Sequence, residues 1–279
     1  MLNQGQTGKE AKKLWGIAWD IHWIGLGAAF SVLAIASVVA LVRSGKRRGF
    51  GRKPFVIVIN SLLLVLGVTR ALYLFADPYE SRQNGLKIPT WLARLLYNIA
   101  FPCLISAFCL IFLIFLRVAK IQLAPKRLQK AGFLIGIIFL HFTIVLVAEI
   151  IRVIKPDTAI PAIIVCQVFF IIWGLLLSVS FIYAGLKVVH QSRIIKKHLR
   201  TQQKTNTSKV AKVTLVTSCL GLACSILQLY SLISVYGFYR DNEQPPSAWK
   251  WWAFHTSFRL VEMAMACTIA YCVMQPADR

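Results

Sequence analysis

The chain has 279 residues, of which 57% are hydrophobic and only 15% are charged. This apolar fraction exceeds that of an ordinary soluble domain, so it excludes a purely soluble globular protein and indicates a chain that lies largely in lipid. A bilayer core about 30 Å thick needs roughly 20 apolar residues per helix. We therefore predict an all-α membrane protein, a seven-transmembrane helix bundle, with spans at approximately 17–42, 55–76, 92–116, 131–154, 160–186, 213–236 and 251–274.

The predicted helical domain covers residues 17–275 and leaves little else in the chain. Residues 1–16 form a short polar N-terminal segment, and residues 276–279 form a short C-terminal tail. The first apolar run lacks the usual small-residue cleavage site and is long enough to span, so we interpret it as a signal anchor. Continuous apolar runs such as 133–140 lack the alternation that is typical of membrane barrel strands.

The net charge of +22 is concentrated in alternate connections between the spans. The first, third and fifth connections are rich in Lys and Arg, whereas the second, fourth and sixth mix acidic and basic residues. By the positive-inside rule, the odd connections are cytoplasmic, which places the N-terminus outside and the C-terminus in the cytoplasm. Because the positive charge is confined largely to alternate connections between spans, it indicates the orientation of the chain in the membrane and not nucleic-acid binding.

Tryptophans cluster where the predicted spans reach the outer membrane surface. Trp15, Trp19 and Trp23 begin the first span, Trp91 opens the third, and the seventh begins with a further group, Trp249, Trp251 and Trp252. Amphipathic indole rings favour the headgroup region, so we expect these side chains to anchor the bundle in the outer interface.

The fifth connection is the longest and most basic one. Its first half predicts a helix that continues beyond the membrane with a positively charged face, formed by Lys187, Arg193, Lys196, Lys197 and Arg200. Such a face would bind anionic lipids of the cytoplasmic leaflet, although the same charge also serves simply to set orientation. Asn206 begins a glycosylation sequon in this connection, which should stay unmodified on the cytoplasmic side.

Polar residues within the spans are concentrated in the outer halves, whereas most cytoplasmic halves are almost purely apolar. A charge in hydrocarbon costs several kcal/mol on insertion scales, so such residues must be paired or hydrated. The candidate cluster consists of Arg70, Asp77, Arg94, Asn98, Glu149, Arg152, His255, Arg259 and Glu262. In one interpretation, these charges are structural ion pairs that fix the register of the helices. In the other, the four arginines outnumber the three acids and bind an anion, a lipid headgroup or a small extracellular ligand.

The remaining chemistry in the spans does not favour catalysis. His22, His141 and His255 lie in different spans and at different depths, without the paired spacing that is typical of zinc sites. We therefore expect no metal, no cofactor and no enzymatic activity. Lys250 lies at the edge of the seventh span, so a retinal Schiff base in mid-membrane is not expected either.

The topology is that of G-protein-coupled receptors, but the receptor motifs are missing. The third span ends in FLRV (115–118) where those receptors carry Asp-Arg-Tyr, and the seventh ends in YCVMQP (271–276) where they carry Asn-Pro-x-x-Tyr. These differences argue against coupling to G proteins.

Four segments resemble the membrane domain of the proline-rich transmembrane protein 3 and 4 family: WGIAWDIH (15–22), TRALYLFADPY (69–79), FPCL (101–104) and FRLVE (258–262). The resemblance implies an integral multi-pass membrane protein and supports the fold more than it supports any activity. That family places a long proline-rich extracellular region before the membrane domain, and this chain looks like the membrane domain alone. Because Arg70, Asp77, Arg259 and Glu262 lie inside the resembling segments, the polar cluster is expected to be a feature of the family.

Three functions remain open from the sequence. The first is a receptor-like or scaffolding membrane protein whose outward-facing cluster binds an anionic ligand. The second is a small-solute or lipid transporter, which would need polar groups that continue to the cytoplasmic side and, typically, repeated halves, neither of which is evident. The third is a purely structural ion-pair core without a ligand.

Overall fold

The computed structural model describes residues 14–46, 53–76, 79, 88–118, 131–156, 159–199, 206–241 and 248–274. Within these residues, seven helices are long and apolar enough to cross a membrane, which confirms the predicted bundle. The spans are Ile17–Ser44, Lys53–Ala76, Thr90–Leu116, Ile135–Ile154, Ala159–His190, Lys212–Ser234 and Trp249–Met274.

Most helices extend slightly beyond the spans that they carry. The first span combines a short α-helix, a π-helical turn and a longer α-helix, with bounds Ile17–Asp20, Ile21–Gly25 and Leu26–Lys46. The other helices are Lys53–Ala76, Thr90–Val118, Ala131–Ile154, Ala159–Leu199, Asn206–Asp241 and Ala248–Met274. We call the end of the bundle that carries Trp15, Trp91 and Trp251 the Trp-rich end, and the end that carries Lys187 and Lys212 the basic end.

The third span lies at the centre of the bundle. Its most apolar stretch is 83% buried, whereas the corresponding stretch of each other described span is at most 50% buried. Spans that follow one another in the chain pack side by side, and the seventh also contacts the first, second and third. The first three spans and the seventh therefore form one packed group, in which polar side chains can meet away from lipid.

The first and second spans approach each other at the level of their backbones. A Cβ atom on Gly67 would lie only 2.9 Å from the carbonyl oxygen of Phe30 and from the amide nitrogen of Ala34. Small residues permit such close contact, which supplies much of the van der Waals energy of helix association in lipid. A glycine is therefore required at this crossing.

Two tryptophans at the start of the first span lie in the interior of the bundle. Trp15 and Trp19 are 6% and 1% exposed, and Trp15 stacks on Trp251 with ring centroids 5.4 Å apart. These two rings are therefore buried against each other and the seventh span and do not face the surroundings of the bundle, while their depth in the headgroup region stays a prediction. Trp91 and Trp249 are more than half exposed, as expected of interfacial anchors.

The fifth helix continues to Leu199, about 14 Å past the end of its span at His190. This continuation confirms the helix that was predicted beyond the membrane. Lys187 is exposed, but the side chains of Arg193, Lys196 and Lys197, and all of Arg200, lie outside the described part of the chain. The positively charged face of this helix stays a prediction.

Candidate functional site

Two buried arginines share one carboxylate inside the Trp-rich half of the bundle. Arg70 of the second span donates from Nε to both oxygens of Glu262, at 3.0 Å each, and from Nη2 to Oε1 at 2.8 Å. Arg259, one turn earlier in the seventh span, donates from Nη1 to the other oxygen, Oε2. We call Arg70, Arg259 and Glu262 the buried triad.

Tyr97 connects the third span to the buried triad. Its backbone carbonyl accepts a hydrogen bond from Arg70 Nη1 at 2.6 Å, and its hydroxyl oxygen accepts one from Arg259 Nη2 at 3.2 Å. The centre of its ring lies 4.9 Å from the guanidinium carbon of Arg70 and 5.0 Å from that of Arg259. Both contacts fall within the range of cation–π attraction. The second, third and seventh spans thus converge on this group.

Tyr97 was not among the predicted site residues, because an aromatic residue in an apolar helix is usually a packing residue. Its position directly before Asn98, in the same turn as a predicted site residue, is the signal that could have identified it.

The buried triad carries an excess positive charge, since two guanidinium groups face one carboxylate. The side chains of Arg70, Arg259 and Glu262 are at most 2% exposed, so solvent screens these charges little. Charge-assisted and bidentate hydrogen bonds offset part of the desolvation cost. Nε of Arg259 is the exception, because it has no hydrogen-bond partner among the described residues.

A second polar group lies between the third and fourth spans. Asn98 donates to Oε1 of Glu149 at 2.6 Å, and Nη1 of Arg152 approaches the same oxygen at 3.3 Å. The side chains of Arg152 and Glu149 are 19% and 11% exposed, which is more than those of the buried triad. Arg94 lies half-buried one turn before Asn98. In the described residues, the predicted cluster therefore divides into two hydrogen-bonded groups.

An aromatic layer covers the buried triad toward the Trp-rich end, and Tyr79 lies at its centre. The ring of Tyr79 lies 4.8 Å from that of Trp251, 4.7 Å from that of His255 and 5.5 Å from that of Tyr73, measured between centroids. Tyr79 has a φ of 56°, in the left-handed region that non-glycine residues rarely occupy. These contacts hold the strained backbone in place. Burial raises the pKa of Tyr79, so its hydroxyl stays protonated and can donate.

His22 links the aromatic layer to the seventh span. Its Nε2 lies 3.0 Å from the Tyr79 hydroxyl, and its Nδ1 lies 2.7 Å from Oγ1 of Thr256. Either neutral tautomer of His22 satisfies both contacts, because the hydroxyls of Tyr79 and Thr256 can each donate or accept a hydrogen bond. One of these hydrogen bonds joins the first span to the seventh, and the other joins it to Tyr79, which follows the second span.

Two further predicted site residues have different placements. His255 belongs to the aromatic layer, and its Nδ1 has no hydrogen-bond partner among the described residues. Asp77 lies outside the described part of the chain.

Five buried polar side chains toward the basic end form hydrogen bonds within their own helices. Each of them donates to a backbone carbonyl four residues earlier: Ser37, Ser44, Asn60, Thr217 and Ser218. In the same half, the hydroxyl of Ser178 has no hydrogen-bond partner among the described residues, and His141 bonds Ser106 of a neighbouring helix. The five local bonds themselves form no polar path between helices.

The described residues contain no group of three or more His, Cys, Asp or Glu side chains that could hold a metal ion. His141, for example, is hydrogen-bonded to Ser106 at 3.0 Å, whereas His22 and His255 both contact the ring of Tyr79.

Comparison with known proteins identifies the family. A family model described as the proline-rich transmembrane protein 3 domain matches residues 5–279. The chain belongs to this family. It is 28% identical over 280 residues to proline-rich transmembrane protein 4 of Mus musculus, with 96% of this chain and 30% of that protein covered. The human protein of that name is 27% identical with the same coverage, and human proline-rich transmembrane protein 3 is 24% identical, covering 91% of this chain and 23% of that protein.

Family membership and the seven apolar helices together make this chain an integral multi-pass membrane protein. The chain spans about 30% of the length of its proline-rich transmembrane protein 4 relatives. The resemblance inferred from the four sequence segments is therefore confirmed, and it extends over nearly the whole chain.

Proposed function

We propose that this chain is a receptor-like scaffolding module, in which the buried triad holds the second, third and seventh spans in a fixed register. The observation that supports this most is that Arg70 and Arg259 both donate to Glu262 while all three side chains are almost fully buried. The donors of a ligand pocket would be directed into an open cavity, but these donors are largely directed at neighbouring side chains. We assign the module no catalytic role.

The hydrogen bonding at the basic end argues against transport. Alternating access requires polar groups that line a path on both sides of the substrate site. Here five buried hydroxyl and amide side chains of that half donate to carbonyls of their own helices. A scaffold needs no such path, since its charges only have to be satisfied locally.

The share of its relatives that this chain matches also supports a scaffolding role. The matched region is 30% of proline-rich transmembrane protein 4 of Mus musculus, so most of that protein lies outside it. A rigid helical module of this kind would anchor the remaining polypeptide in the membrane and present it at a fixed orientation. The orientation that we propose has the Trp-rich end outside the cell, as the positive-inside rule indicates.

The proposal predicts an order of stability among three variants of the buried triad. Glu262→Gln leaves two unpaired buried cations and should destabilise the protein most, by about 3–5 kcal/mol. Arg70→Gln removes the bidentate contact but leaves Arg259 paired with Glu262, so its cost should be intermediate. Arg259→Gln leaves the complete Arg70–Glu262 contact and should cost least. Thermal unfolding of the purified full chain, together with its amount at the cell surface, measures this order.

Arg152→Gln is the matched control for these variants, because it removes an arginine from a partly exposed ion pair. It should lower the free energy of unfolding by less than Glu262→Gln does, because this ion pair is less completely buried than the buried triad. If the Glu262→Gln protein unfolded at the same temperature as this control, the scaffold proposal would be wrong.

One observation favours a second candidate function, the binding of a small anion. The buried triad has one excess positive charge, and Nε of Arg259 has no hydrogen-bond partner among the described residues. An anion bound there would raise the unfolding temperature of the wild-type protein in sodium phosphate relative to sodium gluconate. Arg259→Gln should then abolish the difference while the protein stays folded. If the wild-type protein showed no difference, this second candidate would fail and the scaffold proposal would be unaffected.

A further inference from the structure

A lateral groove lies between the sixth and seventh spans near the basic end. It has a volume of 310 Å³ and is lined by Val213, Val216, Cys267, Thr268 and Tyr271. Val216 is 53% exposed and Tyr271 is 44% exposed, so the groove opens to the surroundings of the bundle. Because both helices are membrane spans, these surroundings are the acyl chains of the bilayer. The groove is thus a recess of mainly apolar side chains that faces lipid.

A lysine directly precedes the residues that the sixth span contributes to this groove. Lys212 is exposed, begins the sixth span, and lies directly before Val213 and one helical turn before Val216. The acidic side chains that the structure describes, Asp20, Glu149 and Glu262, all lie toward the Trp-rich end. Lysines at the ends of spans extend their ammonium groups into the headgroup region while their stems cover apolar surface. An anionic headgroup therefore complements this end of the groove.

Tyr271 gives the groove a second polar feature at the same end. It lies one turn beyond Thr268, toward the end of the seventh span at Met274. Tyrosine favours the membrane interface because its ring is apolar and its hydroxyl forms hydrogen bonds. The apolar part of the groove and its polar edge thus follow the division of a phospholipid into acyl chain and headgroup.

We propose that this groove binds one phospholipid with an anionic headgroup, with an acyl chain along Val216 and Cys267 and the phosphate beside Lys212. This site is distinct from the buried triad, and it does not depend on the proposed scaffolding function. Unlike the general attraction of a basic surface for anionic lipids, it retains a single molecule in a defined place.

Native mass spectrometry of the full chain tests this proposal, after release from nanodiscs of phosphatidylcholine with about 20% phosphatidylserine. The wild-type protein should retain one phosphatidylserine molecule. Lys212→Gln should weaken this retention about fivefold, as expected from the loss of one basic residue at an anionic surface. Lys187→Gln is the matched control, since Lys187 is also exposed at the basic end but lies on the fifth span, which contributes no residue to the lining of the groove, and it should leave retention unchanged.

A second pair of variants tests the apolar part of the groove. Val216→Phe should fill it and abolish retention of phosphatidylserine, whereas Val179→Phe, on an equally exposed valine of the fifth span, should not. Equal retention in Lys212→Gln and Lys187→Gln proteins would overturn the proposal, as would equal retention in the two phenylalanine variants. Preferential retention of cholesterol from discs that also contain it would overturn it as well. Lys212→Gln leaves the packing unchanged, so the test stands even if Val216→Phe folds poorly.

Discussion

Arg70 and Glu262 lie 192 positions apart in the chain, yet three hydrogen bonds join them inside the bundle. The planar guanidinium of Arg70 contacts both oxygens of the carboxylate, a geometry that lysine could not reproduce. Since Arg70 is on the second span and Glu262 on the seventh, this contact fixes the depth of one helix relative to the other. Removal of either partner would leave the other charge in a region of low dielectric constant.

Tyr79→Phe should lower the stability of the protein by about 1 kcal/mol, the net contribution of a typical hydrogen bond. The change removes the hydroxyl that is hydrogen-bonded to His22 but keeps the ring contacts with Trp251 and His255. Tyr183→Phe is the control, because Tyr183 is 58% exposed and should tolerate the change. Thermal unfolding in nanodiscs compares the two, and equal unfolding temperatures would contradict the role assigned to the Tyr79 hydroxyl.

Gly67→Ala should separate the first and second spans and destabilise the bundle by about 1–3 kcal/mol, the usual cost of overpacking. The new methyl group would meet backbone atoms of Phe30 and Ala34, which cannot rotate away. Gly136→Ala makes the same change in the fourth span, where a Cβ atom would contact nothing within 4 Å. It should leave the unfolding temperature unchanged or slightly raised. The prediction fails if both alanine variants unfold alike.

Glu149→Gln should lower the free energy of unfolding much less than Glu262→Gln does. The side chains of Arg152 and Glu149 are 19% and 11% exposed, so the charge left without a partner is less completely buried than in the buried triad. Glutamine can also keep a hydrogen bond from Asn98 through its carbonyl oxygen. We expect a small shift in chemical denaturation of the purified chain. A loss of stability as large as that caused by Glu262→Gln would show that the Asn98–Glu149–Arg152 group and the buried triad act as one network.

Topology can be tested at Asn206, which begins the sequon in the most basic connection. If the basic end is cytoplasmic, glycosidase treatment should leave the mobility of the protein unchanged on a gel. An epitope tag added after Arg279 should be accessible only in permeabilised cells. A glycosidase shift that Asn206→Gln abolishes would reverse the proposed orientation.

The sequence was sufficient to predict the seven spans, because twenty-residue apolar runs have few alternatives in a bilayer. It also identified Arg70, Arg259 and Glu262, since charges inside apolar helices are conspicuous. The spacing of Arg259 and Glu262 indicated one helical face, whereas the partnership of Arg70 with Glu262 depends on how two distant helices pack. Periodicity along a single helix carries no information about that packing.

The aromatic layer was not predictable for a related reason. Trp15 and Trp19 lie at the start of the first span, where tryptophans usually serve as interfacial anchors. Only their contacts with each other and with Trp251 of the seventh span show that they are buried. Tyr79 follows the second span in a short connection, where nothing in the sequence indicates a left-handed backbone. In both cases, the deciding contacts come from residues more than fifty positions away.

The most direct test of the scaffold account compares Glu262→Gln with the double variant Arg70→Gln/Glu262→Gln by thermal unfolding of the full chain. Glu262→Gln leaves two buried cations without a carboxylate, whereas the double variant leaves only Arg259. The account predicts that the second substitution restores about 1–3 kcal/mol of the stability that the first removes. Equal stability of the Glu262→Gln and wild-type proteins, or further destabilisation in the double variant, would contradict it.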